Sequence, residues 1–216
     1  MEKEKVLVVF GGKSAEHDIS IITGLQVLKN INREKYEVFP LYVSREGEMF
    51  FGKKLENYET YVNFNKKKFK KKKLKKIKKK YIALIDGILA KKGIEKSGTM
   101  ELFFRLDIEN RPHQIWDREN GKSAVTQWQI ENVEYYTAPD KSRRPATRVT
   151  FIPHTGRTHQ LRLAAADSHG FGLPIIGDTL YGHCEKGERL LLHASELSFT
   201  HPRTKQKMDF LCPPEF

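Results

Sequence analysis

Arg157 is the side chain best placed in this sequence to handle an anion. It lies in Thr155-Gly156-Arg157-Thr158-His159-Gln160-Leu161-Arg162, directly after Val149-Thr150-Phe151-Ile152-Pro153, an apolar run that reads as a strand end closed by proline. Leu161, Leu163, Ala164, Ala165 and Ala166 then set a helical pattern, with Thr158 where an N-cap belongs. Arg157 is therefore expected at a strand-to-helix corner beside a helix N-terminus. A guanidinium there can meet a phosphate or a carboxylate with a planar, bidentate fork. The competing reading is a structural arginine–carboxylate pair. Two other residues invite chemistry. Tyr81 opens a strand, Tyr81 to Gly87, and its ring can stack on a base or pack in a core. Glu16 follows a Gly-Gly turn, where it can pair with a cation or sit in a first helical turn favoured by the dipole.

The elements that must position these residues fall into two groups. Lys5-Val6-Leu7-Val8-Val9-Phe10 reads as a buried parallel strand. After Gly11-Gly12, a helical pattern runs through Ile22, Leu25, Val27 and Leu28 until Asn30 and Asn32. Tyr36 to Val43 is a second strand, which completes a βαβ unit, and Arg45 to Glu48 turns the chain into Met49-Phe50-Phe51. Gly-Gly after a strand can cradle a phosphate, but the spacing is not that of a dinucleotide fingerprint. In the second group, Gly121 to Ile130 alternates as a half-buried strand and Arg148 to Phe151 leads to Arg157. Asp140 to Pro145 is a polar turn, and Leu190 to Phe199 and Met208 to Leu211 supply closing strands.

Between the groups, Lys66 to Lys80 holds twelve lysines and no acid; without them 27 basic residues face 27 acidic ones. The net charge of +12 is thus one tract and not a basic surface. It reads as a self-repelling linker, with a basic helix lying on RNA as the alternative. No apolar run is long enough to cross a membrane, and the mixed-charge N-terminus is not a signal peptide. Cys184 and Cys212 show neither metal nor redox spacing, which points to a reduced, cytoplasmic setting. The histidines show no zinc pattern, so no metal is expected, and His193 and His201 read as buried or turn residues.

From Lys80 onward the blocks run in a definite order: Lys80-Tyr81, Gly121-Lys122-Ser123-Ala124-Val125-Thr126, Gly156 to Arg162, Pro174 to Gly182, Arg189 to Ala194 and Leu197 to Pro202. Together they resemble the C-terminal half of the RluA-type RNA pseudouridine synthases. The resemblance implies a mixed, mostly antiparallel sheet with few helices and an isomerase that turns uridine into pseudouridine in ribosomal or transfer RNA without a cofactor. It implies that Arg157 pairs with and orients a catalytic aspartate, and that Tyr81 stacks near the target base and serves the proton step. RNA contacts are then expected from Arg157, His159, Gln160, Arg162 and Lys80. The aspartate block itself, a His-Arg-Leu-Asp-x-x-Thr-Ser-Gly motif ahead of the tyrosine strand, is missing. Arg105-Leu106-Asp107 echoes it, but Phe104 replaces the histidine and the order is wrong. Asp107 fits the family's later Leu-x-x-Asp-x-x-Asn-Arg-Pro connection and is expected as a loop carboxylate.

Phe10 to Ser20, Gly24 to Leu28 and Arg33 to Pro40 resemble instead the N-terminal domain of D-alanine–D-alanine ligases, over about Lys5 to Phe69. There the residue matching Glu16 helps hold the ammonium of the first D-alanine, but the ATP-grasp lysines and the magnesium-binding carboxylates of a ligase are absent. The expectation is an α/β N-terminal βαβ unit over 1–65, a lysine-rich linker over 66–80, and over 81–216 a partial α+β sheet of the pseudouridine synthase type. The expected function is that of an RNA-binding relative of the synthases, inactive alone, with RNA as its partner; supply of the missing half by another chain stays open. The alternatives are a ligase fragment and a fusion of two gene fragments without function of its own.

Overall fold

The computed structural model describes residues 3–13, 16–62, 64, 75–200 and 205–216. Most of the lysine run, and His201, lie outside these residues. The chain divides into two compact units, one of residues 1–77 with 197–210, the other of residues 78–196 with 211–216.

In the first unit β1 (Glu4–Gly11), α1 (His17–Asn30) and β2 (Tyr36–Val43) form the expected βαβ unit, with β1 and β2 parallel. β3 (Met49–Phe51) returns antiparallel on Leu41 to Val43. A 3-10 turn over Lys53–Glu56 and the short α2 (Glu59–Val62) follow. Pro40 lies in β2 opposite Val8, just beyond the stretch that β3 covers. There it costs no ladder bond on the open side.

The face of α1 that packs is not the one the apolar residues suggested. His17, Ile21, Gly24 and Leu28 are buried, while Ile22 and Val27 are half exposed. The spacing of the buried set is helical, but two of its four members are not aliphatic. Gly24 is there because Phe10 presses on the helix: a Cβ at Gly24 would lie 2.5 Å from Phe10 Cβ and Cγ. His17 is held by Gly12 O at Nδ1 (2.6 Å) and by the Tyr42 hydroxyl at Nε2 (3.1 Å). The Gly-Gly turn does have positive φ at both residues, 85° and 112°. Its amides are nevertheless engaged: Gly11 N–H donates to Ser20 Oγ and Gly12 N–H to Val43 O. A phosphate cradle needs those donors free.

The second unit is built on antiparallel pairing. β4 (Lys75–Asp86), β5 (Ser97–Leu106), β6 (Gln114–Trp116), β7 (Lys122–Thr137), β8 (Arg143–Pro153) and the start of β9 (Leu192–Thr200) run in sheet order β9-β4-β8-β7-β5-β6. β4 already begins at Lys75, so the end of the stretch read as linker is strand; pairing in a sheet overrides the tract's own repulsion. The polar turn is shorter than expected, because β8 takes up Arg143 to Pro145. α3 (Gln160–Ala166) lays Leu161, Leu163, Ala164 and Ala165 into cores formed with Ile85, Val149 and Phe151 on one side and Leu102, Phe104 and Ala124 on the other. Among the described residues no helix is long and apolar enough to cross a membrane.

Gly24→Ala supplies the test of α1 packing. In an exposed helix interior this change stabilises by about 1 kcal/mol. Here overpacking against Phe10 should reverse the sign, with a loss of about 1–3 kcal/mol in denaturant unfolding of the first unit.

Candidate functional site

The loop from His154 to His159 is held by a side chain from inside the helix that follows it. Gln160 is 4% exposed, and its carboxamide makes four hydrogen bonds. Oε1 accepts from Thr155 Oγ1 (2.8 Å) and from the Arg157 backbone N–H (2.9 Å); Nε2 donates to Val125 O and Thr126 Oγ1, both at 3.0 Å. Thr155 Oγ1 in turn accepts from Val125 N–H. Gln160 thus stitches the loop to β7 and positions Arg157; it lines the same cleft as Arg157, with its carboxamide fully engaged within the protein. Thr158 is not the cap of α3. His159 occupies that position with a left-handed φ of 55°, and no side chain caps the helix.

Arg157 is exposed, and Nε donates to Ser123 O at 2.9 Å. Its two terminal nitrogens carry no bond among the described residues, so the structural ion pair that competed with the functional reading is not formed there. With Tyr81 it lines a small open cleft of about 190 Å³, together with Lys79, His159 and Leu192. Tyr81 lies opposite Phe151 in the β4–β8 ladder and leans on the core while reaching the cleft. The residues lining this cleft include no carboxylate.

Lys80 is not among them. Side chains alternate along a strand, so Lys79 and Tyr81 share one face and Lys80 takes the other. Lys80 Nζ stands 3.4 Å from Glu196 Oε2 instead. Lys79 is the lysine of the cleft, two residues before Tyr81 on the same strand face.

Arg162 also lines the cleft, with its guanidinium paired to a carboxylate. Its Nε donates to Asp178 Oδ2 at 2.8 Å and Nη2 to Oδ1. Asp178 is fully buried, and Oδ1 also accepts the backbone N–H groups of Leu180 and Tyr181. Burial pushes this carboxyl up, yet the guanidinium and the two amides outweigh it and hold it below the usual carboxylate range. The pair fixes Tyr181, over whose ring the Arg162 guanidinium sits at 5.2 Å.

Tyr181 holds His159 in place. The Tyr181 hydroxyl accepts the Gln114 backbone N–H at 2.8 Å and lies 2.7 Å from His159 Nδ1, in hydrogen-bond contact with the ring. His159 also lines the cleft. Burial, with help from the Arg162 charge, lowers the pKa of His159 and favours its neutral form. Sequence reasoning named His159 but missed Tyr181 and Gln114, which lie 22 and 45 residues from it in the chain and meet only through the fold.

Asp107 is a turn carboxylate, as expected: Oδ1 accepts from the Glu109 and Asn110 amides and Oδ2 from Asn110 Nδ2. It lines a different cavity from Arg157. Half-buried His193 places Nε2 2.8 Å from Cys212 O. Glu16 is exposed at the start of α1, in the first unit. Among the described residues no group of three or more His, Cys, Asp or Glu side chains could hold a metal.

Comparison with known proteins finds relatives of two kinds. The family model described as "D-ala D-ala ligase N-terminus" matches residues 5–106, running past Phe69 through β4 and β5. A D-alanine–D-alanine ligase of Thermosipho melanesiensis is 56% identical over 59 residues, 27% of this chain and 16% of that protein. The dual-specificity RNA pseudouridine synthase RluA of Yersinia pestis is 38% identical over 141 residues, 64% of this chain and 61% of that protein. Its namesake in Haemophilus influenzae is 40% identical over 122 residues, 55% of this chain and 51% of that protein. Among solved structures, human RNA pseudouridylate synthase domain containing 1 matches with a TM-score of 0.51 and 28% identity over 65% of this chain and 56% of that one. The chain therefore resembles both families, spans about three fifths of the first synthase relative, and carries a mixed, mostly antiparallel sheet of the pseudouridine synthase type.

Breaking the Arg162–Asp178 pair tests what holds the site. Arg162→Met leaves a buried carboxylate with backbone amides only, and should cost about 3–5 kcal/mol in denaturant unfolding near neutral pH. Asp178 has a depressed pKa when folded, so its contribution is complete above the ordinary carboxylate range and is lost as pH falls through the folded value. The penalty of the variant should accordingly shrink in acid.

Proposed function

We propose that the second unit binds RNA around an extruded uridine, in the manner of the pseudouridine synthases it resembles, and that this chain alone does not isomerise it. One observation carries the reading. Tyr81, Lys79, His159 and the unpaired nitrogens of Arg157 converge on one cleft, and among the described residues no acid lines it. An aromatic ring, an imidazole and cationic side chains suit an unstacked base and its phosphates. Isomerisation also needs a carboxylate as nucleophile or general base to break the glycosidic bond. The cleft of this chain can receive the base but lacks the group that would attack it. The RNA would be ribosomal or transfer RNA, and both cysteines are free thiols, as suits a reducing cytoplasm.

Binding must be separated from the lysine run, which favours any RNA at low salt. Titrations of an RNA bearing an unpaired uridine over a range of salt concentrations do this. Arg157→Ala should lower the slope of log affinity against log salt by about one. With 5-tritiated uridine in the same RNA, the chain alone should release no tritium above background. An unchanged salt slope would remove the cleft as the binding site; release that depends on Arg157 would show that another carboxylate serves.

A further inference from the structure

A second cavity in this unit, of about 700 Å³, plays no part in the proposed chemistry. It adjoins the Arg157 cleft, because Tyr181 lines the one and His159, bonded to the Tyr181 hydroxyl, lines the other. Inside it His169 lies flat on Trp116, with ring centroids 3.7 Å apart and planes within 5°. Asp167 Oδ1 holds the imidazole from the side, 2.8 Å from Nδ1, and accepts the His169 backbone N–H at 2.9 Å. The histidine side chain is nonetheless 47% exposed. An exposed ring backed by an indole and steered by a carboxylate has already lost the freedom that a loose side chain would lose on stacking.

The groups around this ring select among bases. Asp167 Oδ2 and the Gln114 carboxamide line the cavity and have no partner among the described residues. A carboxylate accepts from an exocyclic amino group, and a glutamine carboxamide can pair with N6 and N7 of adenine. The carbonyl edge of uracil offers Asp167 no such donor, and the carboxylates of Asp107 and Asp167 make the cavity a poor place for phosphate.

We infer that this cavity is a second base-binding subsite, which takes an unpaired nucleobase with an exocyclic amino group, adenine fitting best, on the outer face of His169. In an RNA substrate it would hold a base near the uridine, so its biological meaning rests on the RNA-binding reading above. Its chemistry is tested independently with neutral nucleosides, which carry no phosphate for the lysine run to attract.

In the full chain labelled with nitrogen-15, the Trp116 indole N–H is assigned with Trp116→Phe and followed as adenosine or uridine is added. Adenosine should shift it steadily and uridine much less, while the Trp128 indole stays still. His169→Ala, a change at an exposed side chain, should reduce the adenosine response at least about fivefold. Asp167→Asn should bring adenosine towards the uridine response. No shift at Trp116, equal shifts with both nucleosides, or an unchanged response in His169→Ala overturns the subsite. None of these outcomes touches the Arg157 salt slope, so the two readings fail separately.

Discussion

The second unit depends on one buried ion pair. Asp178 carries a full charge where no water reaches it, and it is tolerable only because Arg162 and two backbone amides surround it. That requirement fixes where α3 lies against the loop that carries Tyr181. Tyr181 then lines one cavity while its hydroxyl bonds His159, which lines the other. Arg162, which lines the cleft as well, is the group that holds this arrangement in place.

The loop before α3 follows the same logic on a neutral scale. Gln160 spends its whole carboxamide on Thr155, Arg157 and β7, and so holds the Arg157 backbone while leaving the guanidinium free. Arginine is costly to leave without a partner inside a protein but not at an exposed corner, where water solvates it until an anion arrives. The cleft consequently presents unpaired guanidinium nitrogens beside an aromatic ring, and among the described residues no carboxylate lines it.

The first unit shows how a local motif can be absorbed by its own fold. Gly11 and Gly12 have the backbone that a phosphate loop requires, yet Ser20 and Val43 take their amides. Gly24 and His17 likewise serve the packing of Phe10 and Tyr42. This region keeps the βαβ form of the ligases it resembles. Its glycines answer to steric and hydrogen-bonding demands within the unit.

Much of this was legible in the amino-acid order. Strand periodicity placed the βαβ unit, the hairpin into Met49 and the strands that lead to Arg157 within a few residues, because alternation and turn chemistry are local properties. Block order was enough to point to both family resemblances and to identify Asp107 as a turn residue. The burial face of α1, the start of β4 inside the lysine run, and the roles of Gln160 and Arg162 were not legible, since each depends on a partner distant in the chain. Lys79 stands between these cases: strand alternation implied it once Tyr81 was known to face the cleft. The sequence alone determined which side chains carry charge, aromatic surface and hydrogen-bonding capacity. Only tertiary structure decided which of them were consumed by neighbours and which stayed available, because the cost of burying an unpaired polar group is settled by contacts that form after the strands have paired.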